Sequence, residues 1–517
     1  MIPFHARLNN YLANLRGWRG KLACFIAGAA MAGGFAPFYL WPIIFISLPF
    51  LFVMLDKARH PRSAALYAWA FGYGHMMAGT YWIANALAVD RDQFGWLIPI
   101  SILGLSLVMG IWFALFGALY RWLRTPCTHH NILRFAVLWV AVEYIRSLGM
   151  FGFPWNLMGS MALASERVAQ LISLAGTYGM SLFVVLVGML PALWLKTDVS
   201  ARFRHRALIG ALLSIMVAYA YGMARMPDEA AMTSTRVRVV QGNIAQSLKW
   251  TDEGRAQSAR IYAGLTRMGT EAPTPRIIVW PETAMPFTLR EQSPWPGQLA
   301  KLLPSEGLLI TGAVRSMSEA DAYRLYNSIV AIDASGILKD TYDKYQLVPF
   351  GEFVPLRSVL PIDKITPGGI DFSRGEGPRT IAIDGFPTFR PLVCYEVIFP
   401  WLSGNAAARP EWIVNATNDA WYGRSPGPYQ HFDTARLRAI EQGLPVVRAA
   451  NTGISAVIDP YGRVIRRLEL NERGIIDHAL PEPIKKTPYS STGETITLTI
   501  LLLCWIVTLQ SLFLPKK

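Results

Sequence analysis

Long apolar runs alternate with short polar loops through the first 226 residues, and then the pattern changes. A helix needs roughly 20 apolar residues to cross ~30 Å of hydrocarbon. Such runs stand at about 22–38, 41–55, 64–88, 96–120, 133–150, 168–195 and 207–226, with one more at 492–514. They predict about eight spans. The second run is short, ends at Asp56 and folds against the first across Pro37-Phe38-Tyr39-Leu40. The texture changes near Pro227. Thr235–Gln241 is alternating and β-branched, and Ile-Ile-Val within Arg276–Trp280 reads as a short buried strand. Further strands are predicted at Leu308–Val314, Leu325–Ile332, Pro391–Cys394, Trp412–Asn415, Val446–Ile458 and Arg463–Leu468. The last two flank the turn signal Asp459-Pro460-Tyr461-Gly462. Helices are expected at 254–269 and 430–443. Strands mixed with helices predict one layered α/β domain. The chain thus divides into a helical membrane domain (1–226), a soluble domain (227–486) and a last span with its tail (487–517).

Composition agrees. Hydrophobic residues make up 52% and charged ones 16%, against roughly 25% charged in soluble globular domains. The net charge of +14 first suggests nucleic acid, but residues 227–486 hold 29 basic and 28 acidic side chains. The excess therefore sits in the loops between apolar runs, where a nucleic-acid surface would need a basic face on the soluble part. Arg7, Arg16, Arg19 and Lys21 precede the first run. Lys57, Arg59 and Arg62 follow the second, Arg121, Arg124 and Arg134 the fourth, and Lys196, Arg202, Arg204 and Arg206 the sixth. Lys516 and Lys517 end the chain. The intervening loops are net negative (Asp90, Arg91, Asp92) or uncharged (149–165). Basic loops stay cytoplasmic, so both termini are expected inside and the soluble domain outside.

Cys24 and Cys504 fall within spans and Cys127 in a cytoplasmic loop, which leaves Cys394 alone in the outer domain. An outer compartment favours disulfides, so an unpaired thiol there is either buried and inert or kept for reactivity. Cys394 ends the apolar strand Pro391-Leu392-Val393 and precedes Tyr395 and Glu396. A nucleophile at a strand end is held rigidly, and the turn after it offers N–H groups to an oxyanion. Two other strands end alike, at Trp280-Pro281-Glu282-Thr283 and before Lys344 in Tyr342–Glu352. A thiol of pKa ~8.5 must lose its proton to attack; a carboxylate takes that proton and an ammonium favours the anion. Taken singly, residues such as Glu282 and Lys344 are more often surface residues or a structural ion pair.

These three segments resemble the nitrilase superfamily, whose Glu-Lys-Cys triad sits on an αββα sandwich, and the flanking spans resemble its membrane-integrated branch, the apolipoprotein N-acyltransferases. The resemblance covers essentially the whole chain. It is carried by Gln241-Gly242-Asn243 with Trp250, Trp280–Thr283, Leu347-Val348-Pro349-Phe350-Gly351-Glu352, Cys394-Tyr395-Glu396, Asn418-Asp419-Ala420-Trp421-Tyr422-Gly423, Gly427-Pro428 with Gln430-His431, and Arg448–Gly453. Tyr422 stands where the family pattern leads one to expect Phe, and keeps the ring. The resemblance implies a two-step acyl transfer. Cys394 would attack the sn-1 ester of a phospholipid, phosphatidylethanolamine being the expected donor. The α-amino group of a diacylglyceryl-modified N-terminal cysteine on an apolipoprotein would then take the acyl chain from the thioester. Glu282 would be the general base, Lys344 the oxyanion stabiliser and Glu352 the group that orients or charges Lys344. Tyr395 and Glu396 would shape the pocket and Trp250 would ride a mobile arm over the entrance. A bacterial inner membrane and a monomer are expected.

Other features stay open at this level. Glu143 and Arg146 are spaced to pair on one helix face, for function or for structure alone. Gly152-Phe153-Pro154-Trp155-Asn156 suits an aromatic belt or a lipid site. His431 reads as structural rather than as half of a Cys-His dyad. No Cys/His spacing suits zinc and no glycine-rich loop suits a nucleotide, so no metal or cofactor is expected. A membrane-tethered nitrilase-type amidase is the alternative enzyme, though a soluble amide needs no eight-span anchor. A transporter or binding-only receptor would show paired halves with broken helices, and it gives no reason to keep Glu282, Lys344 and Cys394 together.

Overall fold

A computed structural model of the chain describes residues 15–510, apart from 270–273, 291–292, 320–321, 356, 360–363, 367 and 405–407. Arg7, Lys516 and Lys517 lie outside the described residues. The chain forms two compact units. One comprises the described residues of Met1–Ala84, Trp96–Met226 and Thr492–Lys517, the other Asn85–Gly95 and Pro227–Ser491.

In the first unit a helix occupies each of the eight apolar runs: Gly17–Met31, Ile44–Lys57, Pro61–Thr80, Leu97–Leu123, Thr128–Ile145, Ile172–Gly188, Ala201–Arg225 and Thr495–Gln510. Among the described residues, three segments are long and apolar enough to cross a membrane: Leu97–Leu123, Ile172–Leu195 and Ala201–Arg225. Local chemistry sets where some of the others begin. Pro42 imposes a 3-10 turn, Trp41–Ile43, before the second helix, and Pro61 sets the first turn of the third. Helices Gly17–Met31 and Pro61–Thr80 touch backbone to backbone. A Cβ on Gly28 would collide with the Phe71 carbonyl, and one on Gly74 with that of Phe25. Small residues permit such an approach where apolar burial alone does not drive helices together. Arg124 and Lys196 both pair with Asp56, so the basic loops after the second, fourth and sixth runs meet at one end of this unit. Glu143 and Arg146 have separate partners. Glu143 accepts from Trp139 Nε1 (3.1 Å) and Met158 N (2.9 Å), while Arg146 donates to the carbonyls of Phe153 and Trp155, both at 2.7 Å. Together they fasten the uncharged aromatic segment after the fifth helix.

The second unit is a two-sheet sandwich. Its strands are β1 (Met232–Gln241), β2 (Ile277–Val279), β3 (Met285–Leu289), β4 (Leu308–Glu319), β5 (Ala322–Asp333), β6 (Leu338–Asp343), β7 (Phe389–Val393), β8 (Trp412–Thr417), β9 (Val446–Ala450), β10 (Ser455–Ile458), β11 (Val464–Leu468) and β12 (Gly474–Pro481). One sheet runs β12-β1-β2-β4-β5-β6 with β3 beside β4; the other runs β11-β10-β9-β8-β7. Alternation along the strands divides the buried side chains. Val237, Val239, Ile277, Val279, Leu308 and Ile310 meet Phe389, Trp412, Val414, Val447 and Val457 between the sheets. Val240, Ile278, Trp280 and Leu309 face the other way, onto Tyr262 and Leu265 of helix Asp252–Arg267. Helix Pro426–Gln442 packs on β9. The predicted strand Val446–Ile458 is two strands, broken at Asn451–Ile454, because the chain reverses there into antiparallel pairing. β3 and β12 were not legible, and of β6 only the end before Lys344 was. β3 carries Pro286, while β6 and β12 carry charges and only scattered buried positions.

Candidate active site

Three strand ends deliver the predicted triad. β2 and β4 are parallel, β5 is antiparallel to β4 and β6 to β5, so β2 and β6 point the same way. Glu282 leaves the end of β2 and Lys344 the end of β6. From the other sheet, Cys394 follows β7. Cys394 has φ +49° and Thr283, beside Glu282, φ +48°. Left-handed backbone at side-chain-bearing residues costs energy and persists only where the surroundings enforce it. Gly312 in β4 makes room for this turn, since a Cβ there would lie within 2.5 Å of Glu282 Cα.

The structure brings Glu282, Lys344, Glu352 and Cys394 together in a nearly dry site. Their exposures are 7%, 1%, 4% and 6%. Lys344 Nζ lies 3.0 Å from Glu352 Oε1, 2.9 Å from Glu352 Oε2 and 3.9 Å from Glu282 Oε1. Burial opposes the charge on Lys344, but Glu352, Glu282 and Cys394 outweigh it and hold its pKa above the ordinary lysine range. Asn327 Nδ2 donates to Glu282 Oε1 and Glu352 Oε1, each at 2.7 Å, and Val348 N donates to Glu352 Oε2 at 2.8 Å. Glu282 Oε2 is buried and has no hydrogen-bond partner among the described residues. A buried carboxylate oxygen without a donor is costly and is ready to take a proton.

Cys394 is a free thiol. Burial pushes its pKa far above the usual thiol value, and Glu282 adds to this; Lys344 and the Asn418 N–H pull the other way, with Asp419 raising it further. It therefore rests as a neutral thiol that needs a base. Thr417 Oγ1 lies 3.2 Å from Sγ and 3.0 Å from Asp419 Oδ1.

His431 is not a thiol's partner. Its Nδ1 meets Asp419 Oδ1 at 2.8 Å, and its Nε2 lies 3.2 Å from the Cys394 carbonyl oxygen. A neutral imidazole has one N–H to give; placed on Nε2 it donates to the Cys394 carbonyl and helps lock the left-handed Cys394 backbone, while Arg448 Nη2 lies 3.1 Å from Nδ1. Arg448 donates to Asp419 Oδ2 at 2.7 Å and also to Asn415. Glu396 is fully buried. It accepts from Tyr342 Oη (2.8 Å), Tyr345 N (2.8 Å) and Gln346 N (3.2 Å) through Oε1, and from Val393 N (2.8 Å) through Oε2. It thus ties the Lys344 loop to the turn at Cys394. Tyr395 is buried with its ring 5.1 Å from that of Phe399. Trp250 is half-buried in the turn before helix Asp252–Arg267.

Sequence reasoning missed Asn327, which carries no local signal, and Lys249, which stood beside a singled-out tryptophan. Lys249 is 2% exposed, and its Nζ donates to the Glu282 carbonyl at 3.3 Å. The segment bearing it is stapled down. Asn451 accepts from Ile244 N (2.9 Å) and donates to Ile244 O (2.7 Å), and Asn418 donates to Gln246 Oε1 (2.7 Å). A cavity of about 310 Å³ opens beside it, lined by Gln246, Ser247, Ala420 and Arg424 together with Ala88 and Val89; the triad does not line it. Among the described residues one group could hold a metal ion: Cys127, His129 and His130, in the first unit, with ligand atoms within 4.8 Å of one another.

Residues 27–190 match the apolipoprotein N-acyltransferase N-terminal domain, and residues 236–489 match the carbon-nitrogen hydrolases. The chain is 36% identical over 499 residues to the apolipoprotein N-acyltransferase of Rhodopseudomonas palustris, covering 92% of each. It is 38% identical over 506 residues to that of Brucella melitensis biotype 1, covering 92% of this chain and 93% of the relative. To that of Allorhizobium ampelinum it is 39% identical over 487 residues, covering 91% of each. Agreement at this level runs through both the helical part and the sandwich that carries Glu282, Lys344 and Cys394, and the chain therefore belongs to the apolipoprotein N-acyltransferase family, within the nitrilase superfamily.

Proposed function

We propose that this membrane enzyme, acting as an apolipoprotein N-acyltransferase in lipoprotein maturation, moves the sn-1 acyl chain of a phospholipid through a Cys394 thioester onto the α-amino group of a diacylglyceryl-cysteine. The observation that carries this reading is the buried neutral thiol of Cys394 beside a carboxylate with one unpartnered oxygen and a charged Lys344. In the first half-reaction Glu282 takes the thiol proton as Sγ attacks the ester carbonyl. Lys344 carries the oxyanion, and collapse breaks the C–O bond and releases the lysophospholipid as an alcohol, the thiol proton ending on its oxygen and Glu282 returning to the carboxylate. In the second half-reaction the amine attacks the thioester, the C–S bond breaks, and the amine proton passes through Glu282 to the departing Cys394 sulfur, which restores the thiol and the carboxylate. Glu352 and Asn327 keep Lys344 charged and Glu282 aimed; Tyr395, Glu396 and Trp250 frame the pocket. Phosphatidylethanolamine is the donor in this reading and the enzyme works as a monomer.

The same reading divides the chain into a membrane domain (1–226), a catalytic domain (227–486) and a final span with its tail (487–517). It places eight spans in the bacterial inner membrane with both termini cytoplasmic and the catalytic domain periplasmic. The gathering of basic loops around Asp56 supports that orientation. The test is to incubate the purified protein with phosphatidylethanolamine labelled in its sn-1 chain and to measure hydroxylamine-labile label. Label on wild type and none on Cys394→Ala is the expected result. No label on a wild-type protein competent toward lipoprotein would remove the phospholipid-donor mechanism, and label on both proteins would assign the nucleophile elsewhere.

A further inference from the structure

The acyl-transfer reading above uses one buried lysine, yet the site holds two. Lys249 reaches the Glu282 carbonyl at 3.3 Å, its one hydrogen bond among the described residues. An ammonium has three donors, so two remain unused in a place with almost no solvent. Burying a cation this way is expensive unless something accepts from it. Its surroundings locate the missing acceptor at the reaction centre. Burial lowers its pKa to about 8, while Glu282 and Cys394 act against that fall, so its charge acts directly on both. Charge balance points the same way. Glu282 and Glu352 bring two negative charges, and Lys344 alone would neutralise one. The staples through Asn418 and Asn451 hold the segment of Lys249 against the loops next to Cys394.

We infer that Lys249 is the general acid for the leaving glycerol oxygen when the phospholipid ester is cleaved. This inference rests on the phospholipid-donor reading. The Sγ–C bond forms, the C–O bond to the sn-1 glycerol oxygen breaks, and the thiol proton goes to Glu282. Lys249 gives one proton to the departing oxygen, which leaves as an alcohol. The proton held by Glu282 then passes to the Lys249 amine and restores both groups. The need is chemical, because an alkoxide is a far poorer leaving group than a thiolate of pKa ~8.5. Lys249 is accordingly required in the first half-reaction and not in the second, where Cys394 itself leaves.

The experiment compares two acyl donors on the full-length enzyme in single turnover: labelled phosphatidylethanolamine and a p-nitrophenyl ester of the same fatty acid, whose leaving group needs no proton. Hydroxylamine-labile label on the protein is the readout. In Lys249→Met the phospholipid-to-p-nitrophenyl rate ratio falls about 100-fold or more, the usual scale of general acid catalysis. Lys249→Arg keeps the charge but cannot give up a proton, and it shows the same fall if Lys249→Met does not fold. An unchanged ratio in a folded variant, with both rates down together, would make Lys249 a structural cation and overturn the inference. A wild type acylated by the p-nitrophenyl ester but never by phospholipid would refute the donor reading itself, and this inference with it.

Discussion

Glu282→Gln isolates the base from the rest of the site. Gln keeps the shape, and its amide oxygen can still accept from Asn327, which holds Glu282 Oε1 at 2.7 Å. What disappears is the oxygen that takes the thiol proton. A positioned general base contributes about 10²–10⁴-fold, which is roughly 3–5 kcal/mol at 1.36 kcal/mol per factor of ten. One effect opposes the loss. The Glu282 charge is the second cause raising the Cys394 pKa, after burial, so its removal returns part of the thiolate. The net expectation is a fall of about 100-fold in thioester formation at pH 7, measured by single-turnover labelling from phospholipid. The pH profile is more diagnostic. In the variant solvent must ionise a thiol whose pKa stays well above the ordinary value, so the rate climbs about tenfold per pH unit between roughly pH 6 and 9. In wild type the proton passes to Glu282 inside the site and this slope is absent. A variant within threefold of wild type, or one lacking the upward slope, would refute the assignment of Glu282 as the base.

Glu352→Gln removes the nearer counter-charge of Lys344, at 2.9–3.0 Å, and Lys344 then turns to Glu282 at the base's expense. Acylation falls about 10–100-fold, from a charged hydrogen bond worth roughly 1.5–3 kcal/mol, and thermal unfolding shows a lowered midpoint. Gly312→Ala pushes a methyl group against the Glu282 and Thr283 backbone; single-turnover acylation drops at least about tenfold, with the ester-binding constant changing much less. Arg448→Met leaves Asp419 buried with His431 and the Thr417 hydroxyl but without its cation partner, and costs about 3–5 kcal/mol by denaturant unfolding. Asp419 also gives a pH signature. Burial raises its pKa, but Arg448, His431 and Thr417 prevail and hold it at about 2, below the ordinary 3.8. Its contribution is therefore complete above about pH 4 and is lost as pH falls towards 2, and in Arg448→Met acid unfolding begins at a higher pH.

Sequence periodicity by itself determined the two-part organisation and most of the strands. A long apolar run has few folded destinies, and an alternating β-branched run meeting a Pro or Gly stops predictably, as at Trp280-Pro281. Glu282, Lys344 and Cys394 stood out because each follows a strand end within a motif, Glu282 directly after Pro281. Tertiary structure decided the rest. Asn327 sits mid-strand with no local mark, and it matters only because β5 lies between Glu282 and Glu352. Lys249 has no local mark either, and it reaches the Glu282 carbonyl because the Asn418 and Asn451 contacts hold its segment. The short thread from Arg448 through Asp419 and His431 to the Cys394 carbonyl joins residues as much as 54 positions apart. Glu143 and Arg146 stand at one helix end, and the fold adds to each a hydrogen-bond partner from the segment that follows it. Spacing along a chain records which side chains share an element, whereas hydrogen bonding in a dry interior depends on which elements meet. That is why Cys394, Glu282 and Lys344 could be singled out from one dimension, and Asn327 and Lys249 could not.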